Sequence, residues 1–135
     1  MSQETTAKTM HAYLDALLAR GDFARHLAAD VTFEIMGTPQ LVRGRDAVRD
    51  TITWLHAGAF DAEPKVRTLL TGASQATLEA DFVGTHIGDY MGIAPTGRPV
   101  NVPYCMVYDF EDDMITALRA YFPMELLAQQ VRGAA

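Results

Sequence analysis

Hydrophobic positions change their period along this chain, from a helical rhythm near the N-terminus to strict alternation later. From Thr5 to Ala19 the apolar residues Met10, Tyr13, Leu14, Leu17 and Leu18 follow the i, i+3, i+4, i+7, i+8 spacing of an amphipathic helix, which Gly21-Asp22 ends. Phe23 to Ala29 reads as a short second helix, and Val31-Thr32-Phe33-Glu34-Ile35 alternates as a strand with one apolar face. Gly37, Pro39 and Gly44 punctuate a connection, after which Val48, Ile52 and Leu55 form another helical stripe ending near Gly58. Period two then takes over. Lys65 to Thr71, Gln75 to Ile87, Pro99 to Phe110 and Met114 to Phe122 read as four strands. Gly72-Ala73-Ser74 joins the first pair, the acidic turn Glu111-Asp112-Asp113 joins the last, and Met124 to Val131 closes the chain as a helix. Helices followed by an antiparallel meander predict an α+β domain in which helices cover one face of a curved sheet and leave a cavity.

Composition narrows the partners. A length of 135 residues with 49% hydrophobic content suits one core, and no repeat, low-complexity tract or linker divides it, so residues 1–135 are expected to form a single domain. A net charge of -6 and eleven scattered basic residues argue against nucleic acid, whose phosphates are bound by clustered Lys and Arg. No apolar run approaches the roughly 20 residues needed to span a bilayer, which predicts no membrane partner. The single cysteine, Cys105, cannot form an internal disulfide, and no N-terminal segment joins basic residues to an apolar run; a cytoplasmic setting is expected.

Candidate chemistry is sparse. His11, His26, His56 and His86 show neither a His-Glu-x-x-His motif nor paired ligand spacing, so no metal site is expected. No Gly-rich phosphate loop or Gly-x-Ser-x-Gly elbow occurs, and Cys105 in mid-strand reads as packing. Alternation places Tyr104, Met106, Tyr108 and Phe110 on one face, a surface that suits either a flat apolar ligand or an ordinary core. Leu118, Ala120 and Phe122 share a face of the last strand, with Arg119 and Tyr121 opposite, and Glu34 points away from Ile35. Trp54 offers a further wall from the second helical stripe.

The run GTHIGDYMGIAPTGRPVNV, Gly84 to Val102, resembles the central hairpin of the SnoaL-like polyketide cyclases, within the nuclear-transport-factor-2-like and ketosteroid-isomerase-like superfamily. FEDDMITALRAYFPMELLAQQ is similar to that family's last strand and closing helix. The resemblance implies a cone-shaped domain that binds an apolar small molecule inside a curved antiparallel sheet packed with N-terminal helices; because strands such as Tyr104 to Phe110 carry apolar residues on both faces, a homodimer on the outer face is expected. The resemblance also implies cyclisation or isomerisation of a polyketide-like carbonyl compound by proton transfer, a scheme that requires no cofactor. His86 at the cavity rim would act as acid/base, Tyr13 and Tyr104 would hydrogen-bond the carbonyl oxygen, and Asp89 would support the histidine. Trp54, Ile35, Met106, Leu118, Ala120 and Phe122 would contact the substrate. Where many relatives carry His-Trp-Asp, this chain has Leu118-Arg119-Ala120, and the alternative acid position is Pro123. The isomerases' aspartate position is Ile35. A noncatalytic ligand-binding or assembly domain is the alternative reading. An epoxide hydrolase of the limonene type is a further one, although its Asp-Arg-Asp arrangement is not visible.

Overall fold

A computed structural model describes residues 1–133. Helix α1, Gln3–Leu18, starts at Ser2, whose hydroxyl accepts the Thr5 N–H while the Thr5 hydroxyl accepts the Ser2 N–H, each at 3.1 Å. Its stripe buries Met10, Tyr13 and Leu14. The expected second helix is only a 3-10 turn, Phe23–His26, because Leu27 already belongs to strand β1, Leu27–Ile35, and pairs with Ile115. Within the Gly/Pro connection a short strand β2, Leu41–Arg43, folds back on β1, an element too short for a periodicity to reveal. Helix α2, Arg45–Thr53, buries Val48 and Ile52 and runs into a wider π-type turn, Trp54–Gly58, closed by the Ala59 N–H on the Trp54 carbonyl at 2.7 Å. Strands β3, Phe60–Thr71, β4, Gln75–His86, β5, Pro99–Glu111, and β6, Met114–Tyr121, follow, and α3, Met124–Arg132, closes the chain.

The six strands form one sheet in the order β2-β1-β6-β5-β4-β3. Every neighbouring pair is antiparallel except β1 and β6, which run parallel. The sheet is therefore mixed where alternation predicted antiparallel strands, since alternation assigns faces and says nothing about which distant strands meet. Register aligns Ile35 of β1, Ala120 of β6, Met106 of β5, Leu78 of β4 and Leu69 of β3 in one row across five strands. That row is the floor on which α1 and α2 pack. A second apolar cluster lies toward the other end of the long strands, where Phe60, Phe82, Tyr90, Val100 and Val102 meet Leu127 and Val131 of α3. The two clusters share Tyr104 at their margin. Among the described residues no helix is long and apolar enough to cross a membrane.

Candidate functional site

A cavity of about 130 Å³ opens between the helices and the concave face of the sheet. Its floor is Ile35, Leu78, Met106, Leu118 and Ala120, and its roof comes from Tyr13 and Leu17 of α1 and Ile52 of α2. Trp54, Leu55 and His56 of the π-type turn form one wall, and Phe122, Met124 and Leu127 form another. Tyr90 and Met91, from the loop after β4, stand near the mouth beside Trp54; the Trp54 and Tyr90 rings stack at 6.0 Å. Trp54 and Met91 are 45% and 69% exposed, so the entrance itself is apolar. No Asp, Glu, Lys or Arg lines the cavity among the described residues.

The wall's polarity comes largely from phenols. Strand alternation delivers Tyr104 and Tyr108 from β5, and the α1 stripe delivers Tyr13, whose ring meets that of Tyr108 edge-on at 5.9 Å. The hydroxyls of Tyr13, Tyr104 and Tyr108 have no hydrogen-bond partner among the described residues. Burial pushes all three well above the ordinary tyrosine range. The neighbouring Tyr104 adds to this at Tyr13, Asp81 adds to it at Tyr104, and the other two phenols together with Cys105 add to it at Tyr108. They stay protonated at neutral pH and present O–H donors to whatever fills the cavity.

Ile35, Trp54, Tyr13, Tyr104, Met106, Leu118, Ala120 and Phe122 all line the cavity. His86 does not. It lies fully buried at the end of β4, its ring 5.4 Å from that of Phe60, and is not part of the cavity wall. Its Nδ1 accepts the Thr96 N–H at 3.2 Å and is 2.9 Å from the Thr96 hydroxyl, which itself accepts the Arg98 N–H. The ring proton accordingly sits on Nε2, and the histidine ties the Ala94 to Arg98 connection to β4, helped by the Gly97 N–H on the His86 carbonyl. The rim position that the resemblance implied fails because, of the β4 side chains, Leu78 and Phe82 reach the cavity wall and His86, further along the strand, packs against Phe60. Asp89 does not support His86 either: it is exposed, and its carboxylate accepts the Gly92 N–H at 3.1 Å in a turn.

Among the wall residues that the sequence reading did not propose for the site are Tyr108 and His56. Tyr108 carried a signal, the alternation with Tyr104 and Met106. His56 carried none. Its Nδ1 is 2.8 Å from the Ile52 carbonyl, its ring meets Phe82 edge-on at 5.5 Å, and it also borders a smaller cavity of about 70 Å³ next to Arg20 and Glu63. On the outer face Arg119 pairs with Asp109 through two contacts of 2.6 and 3.0 Å and takes no part in the cavity. Among the described residues no three His, Cys, Asp or Glu side chains are grouped so as to hold a metal ion.

Similar architectures are known. A SnoaL-like polyketide cyclase from Jannaschia sp. CCS1, itself a proposed assignment, superposes with a TM-score of 0.86 at 16% identity over 98% of this chain and 94% of that one. IdmH, a proposed polyketide cyclase from Streptomyces antibioticus, gives 0.76 at 20% identity over 94% and 98%. A protein of ketosteroid isomerase-like fold from Catenulispora acidiphila, solved in complex with trimethylamine, gives 0.73 at 20% identity over 94% of each chain. No curated protein matches the chain in sequence. Identities this low establish the fold, and the family follows from sequence pattern: the SnoaL-like polyketide cyclase model matches residues 8–131, from α1 into α3, so the chain belongs to that family and carries its ketosteroid isomerase-like fold.

Proposed function

We propose that this protein catalyses cyclisation or isomerisation of an uncharged, largely apolar carbonyl compound, with the tyrosine hydroxyls hydrogen-bonding the oxygen on which negative charge develops. One observation carries this reading: an apolar cavity whose phenols, Tyr13, Tyr104 and Tyr108, are unpaired with protein and face the same space. The three hydroxyls are O–H donors already in place on a largely apolar wall, so a ligand oxygen that meets them finds donors rather than hydrocarbon. Donors already in place when charge appears on an oxygen need no reorganisation. No fixed cation lines the wall among the described residues, which disfavours a carboxylate or phosphate ligand.

Trp54 is the only tryptophan and stands at the cavity, so its emission reports occupancy. 2-Indanone, a flat neutral ketone, is expected to change that emission saturably, and indane-2-carboxylate is expected to leave it unchanged. Equal binding of the carboxylate overturns the ligand class. A noncatalytic binding domain is the second reading, favoured by the absence of any carboxylate from the wall; binding of the ketone without turnover or exchange of its α-hydrogens would decide for it. The expected partner is a second copy of the chain on the outer sheet face, where Leu70 and Tyr121 are exposed. Sedimentation at micromolar concentration should then show twice the 14.8 kDa chain mass.

A further inference from the structure

Building on the proposal of an apolar carbonyl ligand, we propose that His56 is the proton-transfer residue of this cavity, with its unprotonated Nε2 as the base. A carbonyl oxygen can only accept, so the 2.8 Å contact with Ile52 fixes the ring proton on Nδ1 and leaves the Nε2 lone pair free. No described residue hydrogen-bonds Nε2, and the ring stands in the wall of the main cavity among the same side chains as the phenols. His86 has the reverse arrangement, its Nδ1 occupied as an acceptor and its Nε2 sealed inside the second cluster.

The local backbone explains why this histidine points where it does. A continuing α-helix would place residue 56 beside the apolar stripe of Ile52 and Leu55, whereas the wider turn from Trp54 to Gly58 brings its ring under the Ile52 carbonyl and against Phe82. That turn is braced from behind. The Ile87 and Gly88 N–H groups both donate to the Ala59 carbonyl, at 2.9 and 3.0 Å, and a Cβ on Gly88 would lie 2.3 Å from the Gly58 oxygen. A close approach of this kind leaves the turn little freedom, which is what a positioned base requires.

Charge favours the neutral ring. Burial lowers the pKa of His56 from its ordinary value; the Ile52 hydrogen bond opposes this, and the Arg20 charge acts with burial. Arg20, at the end of α1, donates to the His56 carbonyl at 3.4 Å and pairs with Asp61, and Glu63 of β3 borders the smaller cavity. The remaining titratable groups facing the site are Tyr13 of α1, Tyr104 and Tyr108 of β5, and Tyr90 of the mouth. At neutral pH the imidazole is thus an uncharged acceptor beside uncharged donors.

In the step itself, Nε2 takes a proton from the carbon next to the ligand carbonyl. The C–H electron pair becomes the carbon–carbon π bond of an enolate, and the carbonyl π pair moves to oxygen, where the phenols donate to it. Return of the Nε2 proton to a different carbon completes an isomerisation. Attack of the enolate carbon on a second carbonyl of the same molecule forms a carbon–carbon bond, and the Nε2 proton then goes to the new alkoxide. Electrons balance within the substrate, so no oxidant or reductant enters.

The test combines two measurements on the intact protein and His56→Gln. In D₂O with 2-indanone, the wild type is expected to accelerate loss of the α-hydrogen NMR signal, and His56→Gln to lose about 10²-fold of that acceleration with ketone binding, read by Trp54 emission, unchanged. A variant that binds the ketone and exchanges at the wild-type rate overturns the assignment. Independently of any ligand, ¹⁵N shifts of the ring, identified by its disappearance in His56→Gln, should show a protonated Nδ1 and a bare Nε2 at neutral pH. The opposite tautomer, or an imidazolium, removes the base and overturns the proposal. If the ketone fails to bind while the ring shows the stated tautomer, the ligand reading falls and the base assignment is upheld.

Discussion

His86 and His56 stand at opposite ends of one chain of rings, His86 against Phe60, Phe60 against Phe82 and Phe82 against His56, with centroids 5.4, 5.5 and 5.5 Å apart. One sits in the segment whose sequence resembles the family's central hairpin and is engaged in holding a loop. The other sits in an irregular turn with no motif and faces the cavity. The difference teaches that a recognisable motif and a reactive group need not coincide: a histidine whose nitrogens are both taken up or sealed can stabilise a fold, whereas one with a free nitrogen in a ligand space can do chemistry.

The largest expected effect breaks the comparison on the His86 side. His86→Ala removes a fully buried ring and leaves the Thr96 N–H without its acceptor, so urea unfolding should show a loss of about 3 kcal/mol. Exchange activity per folded molecule should stay near wild type. Lost activity with an unchanged unfolding midpoint would exchange the two histidines' roles. Gly88→Ala attacks the brace between the regions, because its Cβ meets the Gly58 oxygen at 2.3 Å. About 1–3 kcal/mol of destabilisation is expected, together with an altered Trp54 emission as the turn shifts; neither change would appear if the brace were slack.

Tyr104→Phe sharpens the His56 side. Its hydroxyl has no protein partner among the described residues, so stability should stay within about 0.5 kcal/mol. Exchange should fall about tenfold, less than for a sole oxyanion donor because Tyr13 and Tyr108 share the load. The smallest effect is on pH dependence. With its folded pKa lowered, His56 stays neutral in the native protein while the unfolded chain takes up a proton below pH 6.5. Stability from this group is therefore complete above pH 6.5 and declines as pH falls toward the folded value. His56→Gln should flatten that part of the stability curve, measured as urea midpoints between pH 7 and pH 5.

What the sequence made legible follows from periodicity. The inward faces of β5 and β6 were readable because Tyr104, Met106, Leu118 and Ala120 alternate without interruption, and they line the cavity. Tyr13 was readable from the α1 stripe. His56 was hidden because Val48, Ile52 and Leu55 fit an unbroken helix, and a π-type turn leaves no mark on that spacing. Strand β2 and the parallel β1–β6 pairing were hidden for a different reason: both depend on contacts that no local pattern records. The rim position of His86 came from the resemblance alone, and it depends on how far along β4 the cavity extends, which no local pattern records.

The β1–β6 pairing also dictates an order of assembly. The meander from β3 to β6 can zip through short hairpins, yet β1 has its long partner only in the last strand, so that junction closes a long loop. Contacts of such separation form late and slow a domain's folding. Phe33 and Ile35 reach the cavity only through that junction. During synthesis the apolar helices and β1 must wait for β6 to emerge, and the ligand chamber is the last part of the molecule to come into existence.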